Sequence, residues 1–593
     1  MANDPQSAYA ARLDVRRTEL VAHERRDHVL SRARMAVAAL AVAIALAFPL
    51  RAPTFAAIGV AAAAFLALVV VHERVARRLA RTRRRVAFLE TALARTRGDW
   101  IGRGDPGTAF ADPAHPYAAD LDLFGRGSLF ERISTARTHA GQERLASWLV
   151  RQSPLADVLE RQRAVAELGP RLGLREDLAV LGAEAKGAVD SASLARWATA
   201  APVALPRGLR AAAFAATCAA AVAVVLWASG LTGSTPFYGA TAAAALCALY
   251  GRAFTQRVLD GIGRPAKDLQ TLTEIFDRLA GERFEAPRLQ ELHASLAAGD
   301  APGPAIAQLR RWLEIHDSRG NAFFALLAFY LVWDAQLAAE VEVWRRRYGT
   351  AIVGWLAALG EMEALVSLGT YAFESPEDPF PELDADGPLF DARAVGHPLL
   401  ARQRAVCNDI RLDGARQMLV VTGSNMSGKS TFLRTVGTNA VLALAGAPVR
   451  ARSLRLSPLA IGASIRVTDS LQDGESRFYA EIKRVRQVLD LAKDAAPALF
   501  LMDEIFDGTN SAERRVGAEA VVRSLLGRGA VGLVTSHDLA LAEIAVSLAP
   551  RAENVHFEDH LEGERIAFDY RLKAGPVQKG NALGLMRAVG LEV

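Results

Sequence analysis

Hydrophobic positions follow two patterns along this chain, and the first is the unbroken run. Residues 35–50, MAVAALAVAIALAFPL, and 55–71, FAAIGVAAAAFLALVVV, carry no charge and are separated by RAPT. Each run makes a helix of roughly 24–26 Å at 1.5 Å per residue, close to a hydrocarbon core of about 30 Å once flanking residues are added. The pair therefore predicts a membrane-crossing hairpin. ERRDHVLSRAR precedes it and RVARRLARTRRR follows it, whereas the connector holds only Arg51. Basic flanks stay on the cytoplasmic side, so both ends are expected there. A second pair, AAAFAATCAAAVAVVLWA (211–228) and FYGATAAAALCALY (237–250), is flanked by Arg207, Arg210, Arg252 and Arg257 and predicts a hairpin of the same topology. A third run, AFFALLAFYLVW (322–333), is too short to span and is expected as a buried core helix.

The second pattern is periodic. From about 121 to 200, and again from about 260 to 373, apolar residues recur with helical spacing, as in SLFERISTARTHAGQERLASWLV. ESPEDPFPEL (374–383) breaks that spacing, and beyond it short apolar strands alternate with helices, the texture of an α/β nucleotide-binding domain. The Gly-, Pro- and Asp-rich stretch 98–120 is expected as a linker. The plan is thus a helical segment with a hairpin (1–97), a linker (98–120), an all-α domain interrupted by the second hairpin (121–373) and an α/β domain (374–593).

Composition changes this picture little. Hydrophobic residues make up 51% of 593, and the mean hydropathy of +0.13 fits a chain with part of its mass in lipid. Cys218, Cys247 and Cys407 have neither disulfide nor zinc spacing, which points to a reducing compartment. A net charge of +5 permits contact with nucleic acid or anionic membrane without requiring either. No cleavable signal is expected, because the first apolar run is preceded by a charged helix and lacks a small-residue cleavage site.

The chemistry is in the last third. TGSNMSGKST (422–431) follows the apolar MLVVT and fits G-x-x-x-x-G-K-[ST], the strand, loop and helix start of a P-loop. Gly423 and Gly428 allow backbone N–H groups of Ser424, Asn425, Met426, Ser427 and the residues around them to turn toward phosphates. Lys429 reaches the β/γ-phosphates, Ser430 can ligate Mg²⁺, and Thr431 follows it into the helix. ALFLMDEI (498–505) is an apolar strand ending in Asp503, a candidate to support Mg²⁺, and Glu504, a candidate base for the attacking water. VGLVTSHD (531–538) is another such strand, placing His537 where it can sense a γ-phosphate.

These motifs, in this order, resemble the ATPase domain of the MutS family of DNA mismatch-repair proteins, which is related to the ABC ATPases. GHPLL (396–400), TGSNMSGKSTFLR (422–434), DEIFDGTNS (503–511), TSHDLALAE (535–543) and DYRLKAGPVQKGNALGLMRAVGL (569–591) carry the resemblance. LDLFGRGSLFERISTARTHAGQERLASWLV and EMEALVSLGTYAFE are similar to the start and end of the family's helical core and lever. The resemblance implies a homodimer in which Ser476, within DGESRFYAEI (473–482), reaches the ATP of the other subunit. It also implies ATP-site positions for Asn425, Asn510 and Ser511, for which ordinary turn chemistry is the competing explanation. Three departures stand out. Ser424 replaces the usual proline. Ala405 and Val406 stand where the family often stacks an aromatic on adenine. Nothing before 120 resembles the mismatch-reading or connector domains, and the second hairpin falls roughly where the family inserts its DNA clamp.

The expectation is a multi-pass protein of the cell (inner) membrane, with termini and ATPase domain cytoplasmic. It would be a MutS-like homodimer using ATP and Mg²⁺, in contact with DNA but not discriminating mismatches. The alternative is an ATP-driven membrane-remodelling or transport-associated motor that does not bind DNA.

Overall fold

The computed structural model describes residues 4–49, 51–185, 191–259, 266–297, 302–317, 322–424, 426–466, 477–493, 496–506, 509–537, 539–562 and 565–577. Two compact units emerge. Met1–Ser134, Ala146–Val180 and Leu368–Val593 form the first, and Thr135–Leu145 with Leu181–Ser367 the second. Residues 121–134 and 146–180, grouped by sequence with the all-α domain, thus belong with the α/β part.

Among the described residues the first unit holds two sheets from ten strands: β1 (Glu382–Leu383), β2 (Leu389–Val395), β3 (Asn408–Asp413), β4 (Met418–Thr422), β5 (Ser453–Leu456), β6 (Ala460–Ser464), β7 (Ala498–Met502), β8 (Val531–Ser536), β9 (Ala552–Glu562) and β10 (Arg565–Ala574). The larger sheet runs β10-β9-β4-β8-β7-β6, with β9 to β6 parallel and β10 antiparallel at the edge. Every residue of β4, β6, β7 and β8 is buried. Their continuous apolar runs follow from that, because a parallel sheet is covered on both faces. The register pairs Thr422 with Ser536 and Met502 with Val534, so the segments leaving β4, β7 and β8 gather along one edge. The smaller sheet runs β1-β5-β2-β3.

Residues 98–120, expected as a linker, hold only the 3-10 turn Thr108–Phe110 but pack down firmly, with Trp100, Tyr117 and Ala118 buried. The Asp120 carboxylate accepts the N–H groups of Ile465 (2.8 Å) and Arg466 (2.6 Å), and Arg434 Nε donates to its carbonyl at 2.9 Å. Leu121 lies over Gly437, where a Cβ would come within 2.6 Å of Leu121 Cδ2 and Leu501 Cδ1. This glycine lets the segment dock on the helix that follows β4.

Helices Pro5–Ala47 and Ala52–Arg97 pair along their length. Their base is apolar, with Tyr9, Leu13, Phe88, Leu89 and Leu93 in one cluster with Ala179. Buried Glu374 ties it down, accepting from Arg95 Nη2 at 2.7 Å and Arg132 Nη1 at 3.0 Å, and its pKa is held low by the two guanidiniums against the opposing effect of burial. The far end is different. Met35, Leu40, Leu46, Phe55, Val60 and Leu66 are exposed, and the most apolar stretches of the two helices are 0% and 6% buried. Each such side chain costs about 1.5–3 kcal/mol in water relative to an apolar medium.

The second unit is helical. Leu269, Leu272, Ile275, Phe276 and Leu279, along helix Ala266–Ala280, are buried with Ile306 and Leu309 of helix Pro302–Asp317. Trp197 stacks on Trp344 at 6.1 Å, and the Trp344 indole N–H donates to Ala305 O at 2.9 Å. Glu363 is fully buried at the start of helix His139–Val150, accepting from the backbone N–H of Thr138 (3.2 Å), that of Arg137 (3.3 Å) and the Thr138 hydroxyl. Burial pushes its pKa up to about 7 despite these donors.

Among the described residues four helices are long and apolar enough to cross a membrane: Pro5–Ala47, Ala52–Arg97, Leu209–Ala228 and Trp333–Glu374. The apolar stretch of the last is 78% buried in protein, against 22% for Leu209–Ala228. The partner of Leu209–Ala228 in the second hairpin, Thr235–Leu259, is not among the four. The run 322–333 departs from expectation. It forms helix Ala322–Tyr330 and then turns at Val332 (φ 45°) into Trp333–Glu374, and Leu326 is 63% exposed. Among its described side chains Leu326 and Phe329 are exposed while Ala328 and Val332 are buried, so these are only partly covered.

Candidate nucleotide site

The glycine-rich loop leaves β4 with Gly423 at φ 151° and enters helix Lys429–Ala445 through Gly428 at φ 101°. A side chain at Gly423 would meet Phe557 O at 2.9 Å, and one at Gly428 would meet Tyr570 Cδ1 at 3.0 Å. Both conformation and space therefore require glycine. Lys429 is buried, with its ammonium donating to the carbonyls of Gly423 (2.8 Å) and Ser424 (2.9 Å) and lying 4.0 Å from Glu504 Oε1. Burial pulls its pKa down, opposed by the charges of Glu504 and Asp503. The ammonium occupies backbone carbonyls that a phosphate would relieve. The Ser424 and Ser427 hydroxyl oxygens are closed to solvent and have no hydrogen-bond partner, so the loop holds donors suited to an anion.

The two acids sit side by side after β7. Asp503 accepts from the Thr535 hydroxyl, and that same oxygen accepts the Glu504 N–H at 3.0 Å. Glu504 has φ 51°, a left-handed conformation that is costly for a residue with a Cβ. Its carboxylate stands 3.5 Å from His537 Nδ1, which follows β8. The sheet edge thus brings Lys429, Glu504 and His537 together.

A cavity of about 440 Å³ opens over this edge. Met426, Ser427, Gly428, Lys429, Ser430 and Thr431 line one wall, and Glu504 lies at its end. Gly423, Ser424, Asp503 and His537 do not line the cavity, though His537 stands beside Glu504, which does. Asn425 and Ser476 lie outside the described residues. Asn510 caps helix Ser511–Gly527, its Oδ1 accepting the Glu513 N–H at 2.9 Å. The side chain is thus used as a helix cap and does not line the cavity.

Sequence reasoning did not single out His397, Arg404 or Tyr570, which line the opposite wall. Burial, with Arg434 nearby, lowers the His397 pKa to about 4, so the ring is neutral. Tyr570 (φ 52°) comes from β10, stacks on Phe568 at 5.9 Å, and is held by Asn408, whose amide donates to its carbonyl at 3.0 Å. The sequence offered one signal for it, its place in the DYRLKAGPV stretch.

Ser430 and Asp503 offer a hydroxyl and a carboxylate, the oxygen donors Mg²⁺ prefers. That ion commonly takes one or two protein ligands and completes its shell with phosphates and water. The donor set fits.

A parallel sheet with a glycine-rich loop before a helix, and paired acids after a neighbouring strand, defines a C-terminal α/β domain of the nucleotide-hydrolysing class, here preceded by a largely helical part. Residues 419–592 match the family model of MutS domain V. Domain V is that family's ATPase domain, and the family is related to DNA mismatch repair.

Proposed function

We propose that this protein is a membrane-anchored MutS-family ATPase that works as a homodimer. ATP binds with its phosphates in loop 423–431, where Lys429 leaves the Gly423 and Ser424 carbonyls to neutralise them. Ser430 and Asp503 would hold Mg²⁺, which when bound would neutralise charge on the phosphates. Glu504 orients and deprotonates the attacking water, and His537 steadies the Glu504 carboxylate. Tyr570 is the aromatic surface for the base that Ala405 and Val406 do not provide. Ser476 of a second copy completes the site, which makes ATP a dimerisation ligand. The hairpins 35–71 and 211–250 cross the inner membrane with both termini and the ATPase domain cytoplasmic, and the helical unit holds DNA through phosphate contacts.

The observation that most supports this reading is the meeting of Lys429, Glu504 and His537 beside one cavity at the strand ends. Lys429→Ala should lose ATP binding by about 100-fold or more, while Glu504→Gln should bind ATP and hydrolyse it about 100-fold more slowly. Equal, near-wild-type turnover in both would remove the site assignment. One observation favours a motor that leaves DNA aside, namely the bare apolar hairpin at 35–71. ATPase rates with and without linear, mismatched and branched DNA at stated salt separate the two readings.

A further inference from the structure

The second hairpin has an interior. Helix Ala322–Tyr330 packs against both of its helices. The Tyr330 ring lies 5.6 Å from Phe237, its hydroxyl shares a hydrogen bond with Thr241 Oγ1 at 3.1 Å, and its carbonyl accepts from Thr217 Oγ1 at 3.4 Å. Thr217 and Thr241 both lie well inside their helices, so Tyr330 reaches into the apolar part of the hairpin. After the turn at Val332 the chain returns toward the basic flank, where Ala335 Cβ would lie 3.4 Å from a Cβ on Gly251.

A cavity of about 720 Å³ lies beside this dip and return, and its two ends differ in chemistry. Ala245, Ala248, Leu249, Ala325, Ala328 and Phe329 line the apolar part. One turn further along each wall come Arg252, Gln256, Trp333 and Asp334, with His316 from helix Pro302–Asp317. The Trp333 indole N–H and His316 Nδ1 are closed to solvent without a hydrogen-bond partner, and His316 Nδ1 is 3.6 Å from Asp334 Oδ1, an ion pair only when the ring is protonated. A buried indole N–H without an acceptor is costly, and a ligand oxygen at this end would relieve it. Leu249, on the cavity wall, is 65% exposed, and Leu326 on the adjoining helix is 63% exposed, so the apolar end opens onto the surface that the hairpin offers to lipid.

We propose that this cavity holds one glycerophospholipid, its phosphate between Arg252 and the indole N–H of Trp333 and its acyl chains leaving past Leu249 and Phe329 into the bilayer. A soluble anion would satisfy only the polar end, whereas a headgroup with the first part of its chains matches both. The inference rests on the membrane reading of the hairpins given above.

The test uses the full-length protein in phospholipid vesicles containing a phospholipid with a photoreactive group near the acyl carbonyl, with label mapped by peptide mass spectrometry. Label should concentrate in peptides covering 245–259 and 325–335. Ala248→Trp, which fills the cavity, should lower it at least fivefold, and Arg252→Gln, at an exposed position that does not disturb packing, several-fold. Leu246→Trp, on the 68% exposed face outside the cavity, should leave it unchanged. Label spread evenly along the hairpin and indifferent to Ala248→Trp and Arg252→Gln, in protein that resists carbonate washing, overturns the lipid site alone. Protein removed from the vesicles by carbonate overturns the membrane reading and the site together. Loss of label on adding inorganic phosphate would assign the polar end to free phosphate and overturn the lipid.

Discussion

The α/β part of the first unit and the helical second unit are both rich in apolar runs, yet the runs mean different things. In β4, β7 and β8 each run is buried and leads to a polar residue at the proposed site, Lys429 beyond the loop, Asp503 with Glu504, and His537. In the helical unit an apolar run states only a preference for a non-aqueous neighbour. Leu209–Ala228 and Trp333–Glu374 are both long and apolar enough to cross a membrane, but the apolar stretch of one is 22% buried and that of the other 78%. Spacing of glycines and acids identifies chemistry, whereas hydrophobicity alone does not say whether protein or lipid is the partner.

The units should part most clearly with pH. His397 has a folded pKa near 4, below its ordinary value of 6.5, so the native form sheds its proton more readily than the unfolded chain. Its contribution is complete above about pH 6.5 and is lost as pH falls toward 4. Glu363 is the reverse. Its folded pKa near 7 lies above 4.5, so its contribution is complete below about 4.5 and is lost as pH rises through 7. Each is worth roughly 3 kcal/mol at the extremes. Lowering pH from 7.5 to 5.5 should therefore make peptides of the α/β part more open to hydrogen exchange and those around 135–145 and 355–367 less so. Glu363→Gln, which keeps an acceptor for the Thr138 hydroxyl, should flatten the second response. Parallel responses in both units would break the comparison.

Glycines sharpen it at smaller cost. Gly437→Val should destabilise the α/β part by about 2 kcal/mol, because its Cβ has Leu121 and Leu501 within 2.6 Å. Gly354, on an exposed turn of helix Trp333–Glu374, has nothing within 4 Å of a built Cβ, so Gly354→Ala should stabilise by about 0.5–1 kcal/mol. Thermal denaturation of the two variants checks both signs. The smallest expected effect concerns DNA. Homoduplex and single-mismatch duplex should bind within about threefold of each other, a difference below roughly 0.7 kcal/mol, with both weakening steeply as salt rises. Competition binding at two salt concentrations reads it, and a reproducible tenfold preference for the mismatch would contradict it.

How much was legible follows the same division. The loop, the paired acids and His537 could be placed because each is fixed by the strand immediately before it. His397 and Tyr570 lie in the quoted stretches GHPLL and DYRLKAGPV, but their place at the cavity was not assigned, because they reach it from beyond β2 and from β10 through long-range packing. The stretch 98–120 looked like a linker from its Gly, Pro and Asp, but those residues make the tight turns that let Tyr117 and Asp120 dock. The run 322–333 was too short to cross a membrane, and length alone could not reveal that it dips beside a hairpin.

The central claim, an ATPase anchored in the membrane, is tested most directly by Mg²⁺-dependent ATP hydrolysis in carbonate-washed membranes carrying wild-type protein or Glu504→Gln at equal abundance. The account predicts that both proteins stay in the membrane and that hydrolysis attributable to the chain falls about 100-fold in Glu504→Gln. Release of the protein by carbonate, or equal hydrolysis by the two, would contradict it.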